Sequence, residues 1–268
     1  MPADTTLRLV LIGWGAIAQT TAELLRGSRV QIVAIAVGDA NSPRHDLPQS
    51  ARLIDDPNEL SLIRPDVVAE AAGKDSLATW GHASLEAGAD LIVSSASAFA
   101  DAALFESMRD VAAGQGVHIQ IQPGALAGVE ALVAASLMGV DTVEHRMVKP
   151  PLAWLGTPAE TLCDLHNLTE PEAFYRASAA QTAITFPKNA NVAMTTALAG
   201  IGPDATMITL VADPLATTNR HELRAAGAFG TLEVMTDNNP LPDNPKTSAL
   251  AAFSLVRAIQ NRVTPIVL

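Results

Sequence analysis

Near the start of the chain an apolar stretch, Leu7–Ile12, runs into Gly13-x-Gly15-x-x-Ala18. In such a spacing the first glycine permits a tight strand-to-helix turn and the second lets backbone approach a pyrophosphate. A small third residue lets the helix pack closely on the strand. The helix that follows, about Ala16–Arg26, would direct its free N–H groups and the positive end of its dipole at the phosphates. Asp39 lies about twenty residues beyond the turn, where an acid commonly holds the ribose hydroxyls of adenosine. Arg44 could instead stack on adenine or neutralise a 2′-phosphate. The expected chemistry is dinucleotide binding, with Asp39 favouring NAD and Arg44 keeping NADP open.

A second set of reactive side chains lies past the middle. Phe186-Pro187-Lys188-Asn189-Ala190-Asn191 puts a cation and two amides at a helix start. Lys188 offers a point charge to a carboxylate, while Asn189 and Asn191 are good N-caps that could also hold a carboxylate or an amide. Histidine is the side chain best suited to proton transfer near neutral pH. Among the six, His221 stands apart: it follows Asp213-Pro214 and Asn219-Arg220 on a strand and precedes Gly227-Ala228-Phe229-Gly230. His45, His118 and His145 read as loop or strand residues without polar company, His82 as packing or surface, and His166 sits in an irregular stretch.

These residues need elements to hold them. Strands are expected at Leu7–Ile12, Val30–Val37, Val67–Glu70, Leu91–Ser94 and His118–Ile121. Helices near Leu77–Ala87 and Ala102–Ala113 would end at Gly88 and Gly114. That alternation gives an α/β fold, a doubly wound parallel sheet covered on both faces. Ligands in such sheets lie outside the carboxyl ends of the strands. Here those ends carry Gly13–Gly15, Val37–Asp39, Ala71–Gly73, Ser94–Ala96 and Pro123–Ala125. Gly13, Gly15, Ala16, Ile17, Asp39, Ala72, Gly73 and Ser94 are the expected cofactor contacts of this half.

After Pro123 the pattern changes. Thr169-Glu170-Pro171-Glu172 reads as a capping-box start of a helix towards Phe186. A second helix runs from Asn189 to Leu198 and ends at Gly200. Met207–Val211, Arg220–Leu223 and Gly230–Thr236 read as strands, with Ala225-Ala226-Gly227 as an antiparallel turn. This describes a second, smaller α+β domain: an open, mostly antiparallel sheet with helices on one face. Asn244-Pro245-Lys246-Thr247-Ser248 starts a last helix, Ala249–Gln260. Its face of Leu250, Phe253, Ser254, Val256 and Ile259 would return it to the first domain. The expected domains are 1–125 with 245–268, binding the dinucleotide, and 126–244, holding substrate and a dimer contact.

Composition narrows the class. The 268 residues carry 28 acidic and 17 basic side chains, a net charge of −11, so nucleic acid and anionic membranes are not expected partners. An acidic protein that handles an anionic substrate needs a local cluster of cations. The single Cys163 excludes an internal disulfide and any multi-cysteine metal site, and no metal is expected. It reads as a small buried apolar residue. With no visible secretory leader and no apolar run long enough to span a bilayer, a cytoplasmic protein is expected.

The motifs LIGWGAIA, KPPLAWLGTP, FPKNANVA, ADP…NRHEL…GAFG and NPKTSALAAFSLVRAI extend over most of the chain. Their combination resembles the L-aspartate dehydrogenase family. The glycine turn is shared by many dehydrogenases, and the middle and late motifs are the specific ones. The resemblance implies an N-terminal Rossmann domain and a smaller domain that builds the active site and a homodimer contact. It implies reversible oxidative deamination of L-aspartate with NAD or NADP, giving iminosuccinate and from it oxaloacetate and ammonia, on a route that can feed NAD biosynthesis. It assigns His221 as the catalytic histidine and Ala125 and Asn191 as cofactor contacts, with Ala18 in place of the third glycine. The substrate carboxylates would then fall to Lys188, Asn189, Lys246 and Thr247, in a cleft between the domains. Rival readings are a reductase of a cyclic imine or aldehyde, similar to dihydrodipicolinate reductase or homoserine dehydrogenase, and a non-catalytic dinucleotide sensor.

Overall fold

Every residue of β1 (Leu7–Ile12) but Arg8 is buried, as suits a strand covered on both faces. After it come α1 (Ala16–Leu24), β2 (Val30–Ala36), β3 (Arg52–Ile54), α2 (Glu59–Ile63) and β4 (Val67–Glu70). Then follow α3 (Lys74–Glu86), β5 (Asp90–Val93), α4 (Ala102–Gln115) and β6 (Ile119–Ile121). These strands form a parallel sheet in the order β3-β2-β1-β4-β5-β6. Chain order reverses between β1 and β4. The switch point, where ligands of such sheets lie, therefore falls at Gly13–Gly15 and Ala71–Gly73. The computed structural model describes residues 6–242 and 244–267, apart from the side chains of residues 245 and 246. The chain divides into two compact units, one comprising the residues to Gly124 and those from Ala251, the other Ala125–Leu250.

The second unit holds α5 (Val129–Ser136), β7 (Val140–Lys149), β8 (Glu172–Ser178), α6 (Ala179–Thr185) and α7 (Ala190–Ala199). It continues through β9 (Met207–Ala212), β10 (Asn219–Gly227), β11 (Gly230–Asn238), β12 (Pro240–Leu241) and β13 (Asn244–Ser248). Its five-stranded sheet has the order β11-β10-β7-β9-β8. β7 and β9 run parallel, and the other neighbours are antiparallel. Alternation sorts β7 and β10 by face: Val143, His145, Met147, His221, Leu223 and Ala225 are buried, while Glu144, Arg146 and Arg224 are exposed. The buried face packs Met147 and Leu210 with Trp154, Phe186, Ala193 and Ala197. The opposite face is laced with ion pairs, Arg146–Glu222 at 3.0 Å, Arg176–Glu144 at 2.8 Å, Arg220–Asp237 at 3.0 Å and Arg224–Glu233 at 3.0 Å.

In the second unit three expected elements are corrected. The segment expected as helix from Thr169 to Phe186 is strand β8 followed by α6. Phe174 and Tyr175, next to each other, both reach the core because the register with β9 shifts between Ala173 and Tyr175. The helix starts only at Ser178, whose hydroxyl accepts from Gln181 N. Ala225-Ala226-Gly227 is not a turn: β10 runs on to Gly227, which pairs with Gly230. Glycine is required there because a Cβ would stand 2.5 Å from Gly139 O. Asn244–Ser248 is strand, not a first helical turn; Ser248 Oγ donates to Asn238 Oδ1 and Ala249 N to Asn239 O, which keeps it extended.

The closing helix α8 (Ala249–Gln260) sends Leu255, Val256, Ala258 and Ile259 into the core of the first unit, among Leu9, Leu11 and Ile35. Leu250 and Phe253, expected on that face, are instead 37% and 48% exposed. Arg262 just beyond it donates to Asp90 Oδ2 at 2.5 Å and Gln120 Oε1 at 3.1 Å. Leu255→Ala should therefore cost about 2–5 kcal/mol of stability, read by urea denaturation. A loss below about 1 kcal/mol would exclude α8 from the core.

Candidate active site

His145 and His221 meet because β7 and β10 are antiparallel with His221 opposite Met147 and His145 opposite Leu223. The two imidazoles are diagonal neighbours on one face. His145 Nε2 lies 3.0 Å from His221 Nδ1, and His145 Nδ1 lies 2.9 Å from Thr196 Oγ1 on α7. His145 is fully buried and His221 nearly so. Burial disfavours the imidazolium. It holds His145 well below the usual histidine range, with His221 adding to the effect. His221 is pushed down to about 4, by burial first and then by the positive charge of Lys149.

Lys149 closes β7 on the same face. Its Nζ donates to Asn189 Oδ1 at 2.5 Å and lies 4.7 Å from the centroid of the Trp154 ring. Trp154 is fixed in turn by its indole N–H, which donates to Val211 O at 3.0 Å. Burial, with like charge from Lys188, lowers Lys149 to about 8. At neutral pH a neutral imidazole thus stands beside an ammonium whose neighbours are an amide and an aromatic ring. The pair can accept a proton and hold an anion.

Of the other expected substrate-side residues, Asn189 and Lys188 stand next to Lys149. Asn189 is buried, and its Oδ1 takes Lys149 instead of capping α7, which starts without a side-chain cap. Lys188 is exposed and near enough to Lys149 to depress its pKa, and Asn191 is exposed in the first turn of α7. Ala125 is buried, and its carbonyl accepts from Asn238 Nδ2 at 3.1 Å and Thr236 Oγ1 at 3.3 Å. Thr236 is the residue opposite His221 in the β10–β11 register. Asn238 also accepts from Ser248 Oγ at 2.9 Å, next to half-buried Thr247 on β13. The side chain of Lys246 lies outside the described residues.

In the first unit the glycine turn has the shape a dinucleotide needs. Gly13 has φ +94°, and a Cβ on it would stand 2.7 Å from Ala72 Cβ, so the two loops of the switch point touch there. Gly15 caps α1 without any side-chain bond, and a Cβ on it would meet nothing within 4 Å. Backbone is thus open to a phosphate at that position. Ala16 and Ile17 form the first turn of α1, half-buried, and Gly73 begins α3. Ser94, at the end of β5, has a buried Oγ with no hydrogen-bond partner among the described residues. An orphaned hydroxyl and an open glycine turn, both at carboxyl ends of the parallel strands, fit a bound dinucleotide. Asp39 is exposed and held below the usual carboxylate range by Ser42 Oγ and then Asn41 N, with Arg44 contributing. Arg44 itself donates to the carbonyls of Asp39 and Ser42, so the two residues belong to one closed loop and act together.

Four residues around these sites escaped sequence reasoning. His145, expected to lack polar company, is bonded to His221 and Thr196, and Lys149 was passed over inside the KPP motif. Their signal was the period-2 pattern Val143, His145, Met147, Lys149 against Glu144, Arg146. Thr196, inside α7, had no signal. The fourth is Glu70, fully buried at the end of β4. Its carboxylate accepts from Ala72 N, Gly73 N and Ser95 Oγ at 2.8 Å, Ser95 N at 2.9 Å and Ser94 N at 3.2 Å. It therefore pins the loops after β4 and β5. Among the described residues no group of three or more His, Cys, Asp or Glu is placed to hold a metal ion.

Residues 130–262 match the family described as "Aspartate dehydrogenase, C-terminal", and residues 13–122 the family described as "Homoserine dehydrogenase, NAD binding domain". The L-aspartate dehydrogenase of Brucella anthropi is 48% identical over 262 residues, covering 97% of this chain and 98% of its own. That of Pseudomonas aeruginosa is 39% identical, covering 95% and 97%. The crystal structure of aspartate dehydrogenase from Thermotoga maritima shares the fold with a TM-score of 0.78 at 23% identity, covering 98% and 99%. A hyperthermophilic archaeal homoserine dehydrogenase in complex with NADPH is more distant, with a TM-score of 0.58 at 11% identity.

Two outcomes are expected. Glu70→Ala leaves several loop N–H groups unpaired and should cost about 2–4 kcal/mol, weakening dinucleotide binding in a fluorescence titration. Unchanged stability and affinity would remove Glu70 from its role. His221 takes its proton at about 6.5 when unfolded but at about 4 when folded. The unfolded chain therefore binds more protons between those values, and stability falls as pH drops from about 6.5 to about 4. His221→Ala should flatten part of that slope in melting curves, and a slope unaltered by the substitution would contradict a buried neutral ring.

Proposed function

The chain belongs to the L-aspartate dehydrogenase family, and we propose that it catalyses the reversible NAD(P)-dependent oxidative deamination of L-aspartate. The product iminosuccinate is hydrolysed to oxaloacetate and ammonia. The observation that carries this reading is the neutral imidazole of His221 beside the Lys149 ammonium. The reductase and sensor readings have no comparable support, since the family model over the second half and the relatives at 39–48% identity are those of aspartate dehydrogenases.

The nicotinamide, when bound, supplies the hydride acceptor that this chain's side chains lack. Gly13, Gly15, Ala16 and Ile17 would hold the pyrophosphate on the start of α1, Asp39 the ribose, and Ala72, Gly73, Ser94, Ala125 and Asn191 the remainder. Lys149, with Lys188, Asn189 and Thr247, would bind the two substrate carboxylates. His221 takes the proton released from the substrate ammonium, or from the water that attacks the imine. The free protein keeps His221 neutral, ready to accept. The two substrate carboxylates oppose the Lys149 charge and raise the proton affinity of His221 when it is needed. Cytoplasmic residence and a homodimer complete the proposal. Its support is the outer face of the five-stranded sheet, which α6 and α7 do not cover, and the fact that no described helix is long and apolar enough to cross a membrane.

The test is reduced-nicotinamide absorbance with L-aspartate and NAD or NADP, and in reverse with oxaloacetate and ammonia. Turnover on other amino acids but not on aspartate would sink the assignment. His221→Ala should lower turnover by roughly 10²–10⁴. In the native enzyme the acid limb of kcat/KM should lie near pH 4, and that of kcat, which reports the substrate complex, at higher pH. Lys149→Met should raise KM for L-aspartate at least tenfold while leaving melting temperature level or higher, because it removes a charge that burial disfavours. An unchanged KM would free Lys149 from substrate binding.

A further inference from the structure

The hydrogen bonds around His221 have a direction, and that direction decides which ring nitrogen can take a proton. Thr196 Oγ1 lies 3.0 Å from Val192 O, one turn earlier in α7, and a carbonyl can only accept. The hydroxyl hydrogen is committed to that contact, so towards His145 Nδ1, 2.9 Å away, Oγ1 accepts. His145 Nδ1 therefore carries a hydrogen. A neutral imidazole has one N–H, which leaves His145 Nε2 as a lone pair. The 3.0 Å contact between His145 Nε2 and His221 Nδ1 then requires the hydrogen on His221 Nδ1. In the opposite direction the Thr196 hydrogen would turn to His145, and Oγ1 and Val192 O would face each other with no hydrogen between them.

We propose that Thr196 and His145 are positioning residues that fix His221 as its Nδ1–H tautomer, leaving Nε2 to accept the proton released in the dehydrogenation. This rests on His221 being the base of the proposed reaction. Burial of His145 opposes a second hydrogen on it and so protects the direction of the chain. When His221 gains its proton at Nε2, the bond from Nδ1–H to His145 is kept, and no other hydrogen changes place. Of the groups facing His221, His145 and Lys149 come from β7 and Thr236 from β11. Its chain neighbours Arg220 and Glu222 serve the opposite face of β10, where they pair with Asp237 and Arg146.

The test is two-bond proton–nitrogen correlation on the full chain carrying 15N-histidine at neutral pH, with the His221 ring assigned by its loss in His221→Ala. The expected result is a protonated Nδ1 and a bare Nε2 at His221. A protonated Nε2, or the two tautomers mixed, overturns the proposal. Thr196→Val removes the acceptor at nearly constant shape. It should admit the second tautomer and lower kcat for L-aspartate roughly tenfold with KM little changed, while Thr196→Ser, which restores the hydroxyl, should recover both. Thr196→Val with native spectrum and native kcat overturns the proposal too. The spectrum needs no substrate: the expected tautomer in a protein that fails to turn over L-aspartate would support the relay and sink the proposed reaction.

Discussion

An imidazole buried in a sheet has to settle where its hydrogen sits, because a charged ring would lose its hydration and a neutral one has a single N–H to place. With His145 fully buried and His221 at 7% exposure, that requirement spreads through the second unit. β7 and β10 need the register that sets His221 opposite Met147, and α7 has to bring a hydroxyl to His145. The helix can approach because small residues meet the sheet: Ala193 and Ala197 cluster with Met147 and Leu210, and Ala199 with Val143 and Leu223. Close packing of backbone on sheet lets a side chain as short as threonine reach an imidazole. The packing of α7 and the chemistry of His221 are one constraint seen from two sides.

Each unit places an ionisable side chain near the end of a strand, Glu70 fully buried and Lys149 half-buried, and the two are satisfied to different degrees. Glu70 receives five hydrogen-bond donors, from Ala72, Gly73, Ser94 and twice from Ser95. A carboxylate so fully engaged has little left for a ligand and works as an anchor for the loops of the switch point. Lys149 has three N–H groups, one donated to Asn189, with the charge laid over Trp154. Neither partner is an anion, so its charge is not cancelled. Glu70, fully buried, is spent on structure, whereas half-buried Lys149 keeps a charge that its amide and aromatic neighbours leave uncancelled.

The first unit was largely legible because its signals are local. Apolar runs of strand length, glycines at turns and small residues at strand ends carry the parallel sheet, and β1 and β4 stand where those signals place them. Only short pieces such as β3 and α2 went unread. In the second unit the deciding contacts are distant in sequence: His145 lies 76 residues from His221 and 51 from Thr196. No spacing reports such a meeting. Glu172–Ser178 misled because an N-terminal capping pattern is local, whereas the aromatic packing of Phe174 and Tyr175 with Phe186 that makes it a strand is tertiary. Asn189 misled in a related way: a good cap by type, it is drawn off the helix by a lysine 40 residues earlier.

The chain as a whole is strongly negative, −11 at neutral pH, yet its proposed substrate carries two carboxylates. Net charge sets the far field, and binding is decided by the local one. On the outer face of the second sheet, Arg146, Arg176, Arg220 and Arg224 each carry an acidic partner at 2.8–3.0 Å, so those cations are neutralised in pairs. On the inner face Lys149 adds its field to the burial that keeps His221 unprotonated. The strand alternation that separates the two faces therefore separates two uses of positive charge. Outside, cations close ion pairs along the sheet. Inside, Lys149 is held by an amide and an aromatic ring, and under the proposed function the substrate carboxylates would meet that charge and return basicity to the neighbouring imidazole.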